Sequence, residues 1–341
     1  MKTTRSLLKT WVRRLGAAIG IVVLLAGAGA AVLELRPPKM RAVDATKRFE
    51  ATAARLERGR YIVEAEAHCM SCHSDRDWQT HGAPVRPGML GAGWDVPWAD
   101  NHMPGPVFAP NITPDPETGL GAVPDDAVAR AIREGVGHDG RALFMMPWQE
   151  YRGLSDEDVA SVVAYLRTLA PVKKARGTTA IPVPIRWFVK MMPAPLTAPV
   201  TTPVAPDPVA RGRQLAEVGQ CQSCHTPVDA RHQPLPGMAF AGGQAFTIGG
   251  VRTLAANISP DASGISHYSE ELFIQTMRTG NIGARRLAPI MPWSGIGKLT
   301  DGDLKALWAY LKTVKPVAHD VERTPVDLKD NPDIDDHMAR N

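Results

Sequence analysis

Four cysteines and two histidines, arranged in two identical patterns, are the residues of this chain that could do chemistry. The pattern Cys-x-x-Cys-His occurs at residues 69–73 and again at residues 221–225. It places two thiols close together and an imidazole directly after the second, which is the arrangement for covalent haem attachment. The thiols would bind the haem vinyl groups and the imidazole would bind the iron. We therefore predict two covalently bound haem c groups, held by Cys69, Cys72, His73, Cys221, Cys224 and His225.

Two other kinds of site contain paired cysteines. Two Cys-x-x-Cys pairs could form a four-thiolate zinc site, and one pair alone could be a thioredoxin-like redox motif. A zinc site does not require a histidine after the second cysteine of both pairs, and no strand–helix pattern surrounds either pair. The chain has four cysteines. Haem attachment therefore leaves no thiol for a disulfide, an iron–sulfur cluster or a nucleophile.

The second axial ligand of each iron decides whether a haem carries electrons or reacts with small molecules. A thioether opposite histidine raises the potential and closes the iron to substrates. Met146 and Met291 stand at equivalent positions of a repeated Met-Pro-Trp sequence, which makes them the candidates. We predict His73, Met146, His225 and Met291 as the iron ligands. Other candidates do not recur as ligands at the 145-residue offset: Met145 has Ile290 and His138 has Gly283 as counterparts, and Met89, Met103 and Met238 break the repeat at that offset.

An internal repeat divides most of the chain into two similar parts. Arg-Gly-Arg precedes each haem motif, an Asn-Ile-Thr/Ser-Pro-Asp loop follows it, and Met-Pro-Trp comes later. From Met-Pro-Trp to the last helix the two copies are offset by a constant 145 residues. Such self-similarity indicates duplication of one structural unit. We predict two haem domains, residues 45–170 and 209–318.

Helical periodicity dominates both predicted domains. Each ends in an amphipathic pattern that begins after an N-cap candidate, Ser155 in the first and Thr300 in the second. Shorter helices are predicted over residues 127–134 and 270–279. Little in either copy alternates with the two-residue period of a strand. The sequence therefore predicts an all-α fold of two tandem domains.

The N-terminus has the composition of a membrane anchor. Basic residues precede an uncharged apolar run over residues 15–33, which is long enough to cross the core of a bilayer. The basic flank would stay in the cytoplasm. A cleaved signal peptide is the alternative, because Ala28-Gly29-Ala30 has the small residues of a cleavage site. The apolar run is long for a signal peptide, so residues 1–40 are predicted to be an uncleaved anchor.

The segment between the domains and the C-terminus differ in composition from the domains. Residues 171–208 form a linker whose prolines disfavour regular helix. Within it, residues 185–192 are apolar enough to lie on a domain surface or at the membrane interface, and we expect packing against the domains. Residues 319–341 form a polar tail.

These features resemble a known family. Gly59 and Gly212 before the haem motifs, with Tyr165 and Tyr310 in the closing helices, resemble class I cytochrome c domains, in which the first and last helices cross at a glycine and an aromatic residue. The Asn-Ile loop and the Met-Pro-Trp sequence are similar to those of the multihaem cytochrome c subunits of membrane-bound bacterial dehydrogenases acting on alcohols, aldehydes and gluconate. Those subunits commonly carry three haem domains, whereas this chain has two motifs.

The resemblance also implies roles for residues beside the haem ligands. A haem-binding histidine gives its other ring N–H to a carbonyl, and the resemblance implies Pro84 and Pro236 as the residues that supply it. For Asn111 and Asn257 two roles are open. Each could hydrogen-bond a haem propionate, or each could shape the backbone of its loop.

We interpret the chain as a membrane-anchored dihaem c-type cytochrome. It would transfer single electrons from a periplasmic dehydrogenase or another redox protein to the respiratory chain, with a single-pass anchor in the inner membrane and its haem domains in the periplasm. No catalytic residue is assigned, and the chain is interpreted as an electron-transfer subunit of an oxidoreductase complex rather than an enzyme by itself. A dihaem subunit of a terminal oxidase and a dihaem peroxidase-type enzyme are the alternatives.

The charge of the two domains differs in sign. The whole chain has a net charge of +4, which gives no case for nucleic-acid binding. Residues 50–170 contain 10 basic and 18 acidic residues, a net −8, whereas residues 207–318 contain 11 and 8, a net +3. Complementary fields raise encounter rates between proteins. We therefore predict a docking patch for an acidic partner around the second methionine loop, made of Arg278, Arg285, Arg286 and Lys298.

Overall fold

The computed structural model describes residues 2–96, 106–201, 207–230, 232–248, 251–283 and 285–322. Helices dominate these ranges, as the sequence predicts. The same ranges contain three antiparallel two-stranded hairpins. Their strands have two to four residues, which is too short to show a two-residue period in the sequence. Met103 and residues 323–341 of the predicted tail lie outside the described residues.

A single long helix begins the chain. Helix α1 spans Lys2–Leu35, and its part from Lys9 to Leu35 has a mean hydropathy of 2.3, which makes it long and apolar enough to cross a membrane. The side chains described in this part are almost all exposed. The chain then runs along the first copy of the repeat, where Arg41 pairs with Asp126 and Glu134.

The described residues of the first copy contain four α-helices and one hairpin. The last helix begins as the sequence predicts, because the Ser155 side chain accepts a hydrogen bond from Asp158 N. The predicted short helix over residues 127–134 begins two residues earlier. The elements are α2 (Ala53–Tyr61), β1 (Trp94–Val96), β2 (Val107–Ala109), α3 (Asp125–Glu134), α4 (Trp148–Tyr151) and α5 (Asp156–Leu166).

The second copy repeats this order after the linker, and the linker itself contains α6 (Ile185–Met191). Thr300 caps the last helix through Asp303 N, in the same way as Ser155 caps the last helix of the first copy. The elements are α7 (Pro208–Val218), α8 (Cys221–His225), β3 (Ala245–Ile248), β4 (Val251–Leu254), α9 (Glu270–Thr279), β5 (Asn281–Ile282), β6 (Arg285–Arg286), α10 (Trp293–Ile296) and α11 (Asp301–Leu311).

Each copy is organised around a helix crossing that only glycine permits. A Cβ at Gly59 of α2 would lie 2.0 Å from Ser161 O of α5, and one at Gly212 of α7 would lie 1.9 Å from Ala306 O of α11. The absence of a side chain lets the two backbones touch. Apolar residues of the crossing helices then form one core in each copy, which includes Val163 in the first and Leu304 in the second.

The linker packs against the first copy. Arg176 donates to Gly93 O at 2.6 Å, Asp156 N donates to Val200 O at 2.9 Å, and Arg152 donates to the Ala194 carbonyl. The expectation that the linker avoids regular helix is wrong for α6. Its seven residues contain no proline, and Pro184 stands immediately before them, at a helix start where proline is tolerated.

Candidate haem-binding sites

The two haem motifs are tight helical turns that begin in the same way. Residues Cys69–Ser71 form a 3₁₀ turn, and α8 is one short turn of α-helix. Each turn is preceded by a residue in the left-handed region, His68 with φ 35° and Gln220 with φ 58°. This backbone reverses the chain so that two thiols and a histidine project from a single turn.

The haem-site histidines are oriented by backbone carbonyls. His73 Nδ1 donates to Pro110 O at 2.9 Å, and His225 Nδ1 donates to Ala256 O at 2.7 Å. Because Nδ1 carries the proton, Nε2 of each neutral ring keeps its lone pair for a metal. The residues implied for this role, Pro84 and Pro236, do not supply these carbonyls.

The correction has a physical reason. The Pro84 carbonyl accepts from Asp77 N at 2.8 Å, so it is used within the segment that follows the haem motif. The carbonyls that reach the histidines come instead from the residues directly before Asn111 and Asn257, in a loop that folds back over the site.

The two asparagines shape that loop. Asn111 Nδ2 donates to Val172 O at 2.7 Å, and its Oδ1 accepts from Thr113 N at 2.9 Å. Asn257 makes equivalent bonds and donates to Val317 O at 2.9 Å. Both side chains are buried. Of the two roles left open by the sequence, the structure therefore supports the one in which asparagine fixes the loop backbone and ties it to the chain after the last helix.

The two Met-Pro-Trp sequences form the same turn. Trp148 N donates to Met146 O at 2.8 Å, and Trp293 N donates to Met291 O at 2.8 Å. The central prolines have φ/ψ of −81°/54° and −79°/42°, which with this hydrogen bond is an inverse γ-turn. Met146 packs against the first core and Met291 against the second, whereas Met145 is 36% exposed.

A pair of glycines to which the sequence pattern assigns no role positions the tryptophans of these turns. Gly135 and Gly280 end α3 and α9 with φ of 74° and 67°. A Cβ at Gly135 would lie 2.4 Å from Trp148 Nε1, and one at Gly280 would lie 2.2 Å from Trp293 Cε2. The sequence does contain a signal for them: Gly135 and Gly280 are 145 residues apart, the same offset that separates Met146 and Met291.

The protonation of the site fits a haem with one imidazole ligand. Burial raises the pKa of the Cys69 and Cys221 thiols to about 12 and lowers the pKa of His73 and His225. The thiols are therefore neutral, and the imidazoles are available to a metal.

The alternative of a four-thiolate zinc site is not supported by the geometry. Within the described ranges, no group of three or more His, Cys, Asp or Glu side chains is placed to hold a metal ion. The paired thiols and the oriented histidine of each copy instead match the donor set of haem c.

The two haem-attachment segments are neighbours. His68 Nε2 donates to Gly219 O at 3.2 Å, and Gln220 Nε2 donates to Tyr151 Oη at 3.0 Å. Burial and the nearby Cys72 together raise the pKa of the Cys224 thiol to about 11. The residues that begin one motif therefore contact those that begin the other.

A buried carboxylate joins the two copies. Arg58 and Arg211, from equivalent positions of the repeat, both pair with Glu66, at 2.7 Å and 2.5 Å. Each arginine also pairs with an acidic residue of the last helix in its own copy, Arg58 with Asp158 and Arg211 with Asp303. We call these five residues the Glu66 cluster.

The Glu66 cluster depends on a one-residue difference between the copies. Gly59 and Cys69 are ten residues apart, whereas Gly212 and Cys221 are nine apart. The extra residue is accommodated in a π-helical turn over Ile62–Glu66 at the end of α2. An inserted residue is what produces such a turn in a helix. The turn places Glu66 between the two arginines.

Comparison with known proteins identifies the family. The family model described as cytochrome c matches residues 56–170 and 209–315. The chain belongs to the cytochrome c family. It carries two covalently bound haem c groups, one for each match, which is the number that the sequence predicts.

Three relatives illustrate the range of similar proteins. The chain is 28% identical over 287 residues to the cytochrome c subunit of alcohol dehydrogenase (quinone) of Gluconobacter oxydans, covering 79% of this chain and 56% of the relative. It is 30% identical over 283 residues to the gluconate 2-dehydrogenase cytochrome c subunit of Pantoea cypripedii, covering 78% and 60%. A diheme cytochrome c-type protein of Cereibacter sphaeroides is 27% identical over 322 residues, covering 89% and 99%.

These coverages set the scope of the comparison. The chain spans little more than half the length of the two dehydrogenase subunits, but nearly the full length of the dihaem protein. The family and its relatives indicate electron transfer as the general function.

Proposed function

We propose that this chain is a membrane-anchored dihaem cytochrome that passes single electrons from an exported dehydrogenase to the respiratory chain. The observation that carries the proposal is the equivalence of the two sites: each copy has a carbonyl-oriented histidine and a methionine in an inverse γ-turn. The proposed attachment residues are those of the two motifs, and the proposed iron ligands are His73, Met146, His225 and Met291.

The protein residues position each haem for one-electron transfer. The haem, when bound, gains and loses one electron at its iron. The Pro110 and Ala256 carbonyls hold the histidine rings in one orientation. The γ-turns restrict the backbone of Met146 and Met291, the residues proposed to supply a thioether to each iron. Two sites closed by methionine are suited to electron transfer and unsuited to peroxide chemistry.

The N-terminal helix supports retention of the anchor. Helix α1 continues without interruption past Ala30 to Leu35. Its last turn is fixed by the linker, since Glu34 accepts hydrogen bonds from Arg186 and Trp187. In this proposal α1 is a single-pass anchor in the inner membrane, and both haem domains lie in the periplasm. The proposal keeps the predicted division of the chain into an anchor, two haem domains, a linker and a tail. Their bounds are residues 1–40, 45–170, 171–208, 209–318 and 319–341.

The relatives support a dehydrogenase as the electron donor. Two of them are named as cytochrome c subunits of an alcohol dehydrogenase and a gluconate dehydrogenase. We propose a partner of this kind, an exported dehydrogenase that releases electrons singly, together with a respiratory acceptor. The substrate of such a partner need not touch this chain.

Carbon monoxide binding to the purified, reduced full-length protein tests the proposal. If a methionine closes each iron, carbon monoxide binds slowly or not at all, and hydrogen peroxide is not turned over. Rapid carbon monoxide binding at one haem, together with peroxide turnover, would contradict the proposal and favour a peroxidase-type enzyme. Reduction of both haems by a donor dehydrogenase and its substrate completes the test.

A further inference from the structure

Helix α6 of the linker has one face on the protein and one face in solvent. Val189 is 3% exposed and packs inward. Phe188 and Met191, three residues apart and on a different face of the helix from Val189, are 64% and 55% exposed. Exposed apolar residues that form a continuous stripe mark an interaction surface.

The position of α6 is fixed by the end of the membrane-spanning helix. Glu34 of α1 accepts from Arg186 at 2.9 Å and from Trp187 Nε1 at 3.0 Å, and Lys190 Nζ donates to the Glu34 carbonyl at 2.5 Å. The apolar part of α1 ends at Leu35. Helix α6 therefore lies at the level where the hydrocarbon core of a membrane would end.

A cavity of about 250 Å³ lies between α6 and the chain that leaves α1. Trp187 and Met191 contribute apolar walls, and three cations line it: Arg36, Lys39 and Lys190. Tryptophan is enriched at the depth of lipid headgroups because its ring is both apolar and able to donate a hydrogen bond. The cavity combines this ring with a concentration of positive charge.

Two of the three cations lack an acidic partner. In the part of the chain that the structure describes, Arg41 and Lys47 pair with Asp126, whereas Arg36 and Lys39 make no ion pair. Basic residues directly after a spanning helix are disfavoured on the translocated side. Unpaired cations beside an apolar cavity have the chemistry to attract an anionic group at the outer membrane surface.

We propose that α6 lies in the outer interface of the membrane and that this cavity binds the phosphodiester headgroup of an anionic phospholipid. Arg36, Lys39 and Lys190 surround the phosphate, and Phe188 and Met191 insert among the acyl chains. Amphipathic helices bind membranes through this combination of apolar area and charge. The inference rests on the proposed retention of α1 as an anchor.

The test uses the full-length holoprotein in nanodiscs of phosphatidylcholine with and without phosphatidylglycerol. Hydrogen–deuterium exchange of residues 180–193 is expected to slow when phosphatidylglycerol is present. The double variant Arg36→Gln/Lys39→Gln removes that effect and weakens phosphatidylglycerol retention, by about fivefold for each cation lost. The matched control, Lys312→Gln/Lys315→Gln, makes the same charge change on exposed residues of the second haem domain and retains the effect.

A second variant separates the apolar contribution from the charges. Phe188→Ser/Met191→Ser should speed exchange of α6 in every nanodisc, and the absorption spectrum of both haems should stay unchanged because these side chains are exposed. Exchange of α6 that is independent of phosphatidylglycerol in the intact chain overturns the lipid site. Protection that requires a bound dehydrogenase instead of lipid also overturns it, by assigning the face to a protein.

The intact mass of the isolated protein distinguishes this failure from failure of the proposed anchor. A mature chain that lacks residues 1–30 overturns the anchor and, with it, the position of α6. A chain that retains these residues but shows no lipid preference overturns the lipid site alone and leaves the proposed electron carrier untouched.

Discussion

The Pro110 and Ala256 carbonyls orient the haem-site histidines, and the neighbouring asparagines fix where those carbonyls lie. Asn111 and Asn257 each bond both their own loop and the chain after the last helix. Each histidine therefore depends on hydrogen bonds made by residues that need not touch the haem. Hydrogen bonding to a ligand histidine raises its basicity and tunes the metal. The short Asn-Ile sequence is explained by this role.

The proposed methionine ligands are tested by single substitutions. Met146→Ala or Met291→Ala should remove about half of the weak sulfur-to-iron charge-transfer band of the oxidised protein, because one of two thioethers is lost. The same variants should lower the potential of one haem and open it to carbon monoxide. Met145→Ala is the control. Its side chain is 36% exposed, so we expect the band to persist in this variant. An equal loss of the band would transfer the role of iron ligand to Met145.

At the scale of secondary-structure elements, local sequence explains the helices and non-local contacts explain the rest. The caps at Ser155 and Thr300 and the span of α9 follow from nearby residues, and the structure has them as predicted. The position of helix α6 is not predictable in this way, because it depends on a contact with Glu34 of α1. The partner of His73 lies 37 residues away, in a loop whose path depends on the folded domain.

The helix crossings give the sharpest prediction for the elements. Gly59→Ala should place a Cβ 2.0 Å from Ser161 O. This oxygen belongs to the backbone of α5, which cannot move aside as a flexible side chain could. We expect the free energy of unfolding to fall by about 3 kcal/mol, the upper part of the usual cost of overpacking. Gly212→Ala should cost a similar amount. Chemical denaturation of the holoprotein measures both.

A glycine outside the crossings provides the control. A Cβ at Gly153 would have no atom within 4 Å, so Gly153→Ala should change the free energy of unfolding by about 0.5 kcal/mol or less. Equal stability of the Gly59→Ala and Gly153→Ala proteins would contradict the crossing as described.

At the scale of the whole molecule, the two copies act as one unit. The Glu66 cluster, the contact of His68 with Gly219 and a pair between Lys298 and Glu64 all cross between them. The sequence shows the duplication but not this interface, since Glu66, His68 and Lys298 have no residue of the same type at the equivalent position of the other copy. A fixed interface keeps the two haems at a constant separation, which a pair of freely moving domains would not.

Neutralising the central carboxylate should loosen this interface. Glu66→Gln removes the buried charge shared by Arg58 and Arg211, which are about one third exposed and keep their pairs with Asp158 and Asp303, so the cost should be about 2 kcal/mol. We expect a lower melting temperature and a larger radius of gyration by small-angle X-ray scattering. The exposed Glu50→Gln provides the matched charge change. An unchanged radius of gyration in Glu66→Gln would show that other contacts fix the orientation.

The predicted docking patch is smaller in the structure than in the sequence. Arg278 pairs with Asp301 at 2.6 Å, and Lys298 pairs with Glu64 of the first copy at 2.9 Å. Arg285 and Arg286 remain on the hairpin β5–β6, where Arg286 is exposed. These two arginines are therefore the part of the patch that could meet an acidic redox partner.

Charge reversal on the hairpin tests this docking role. Arg285→Glu/Arg286→Glu should slow electron exchange with an acidic partner on the order of tenfold at low ionic strength, because the attractive field is inverted. The difference should shrink as salt is raised toward physiological strength, since exposed charges are then screened beyond about 8 Å. Lys312→Glu/Lys315→Glu, at the end of the last helix, makes the same charge change outside the hairpin. Stopped-flow rates that fall equally in both variants would assign the effect to net charge, and a salt-independent difference would exclude electrostatic docking at this hairpin.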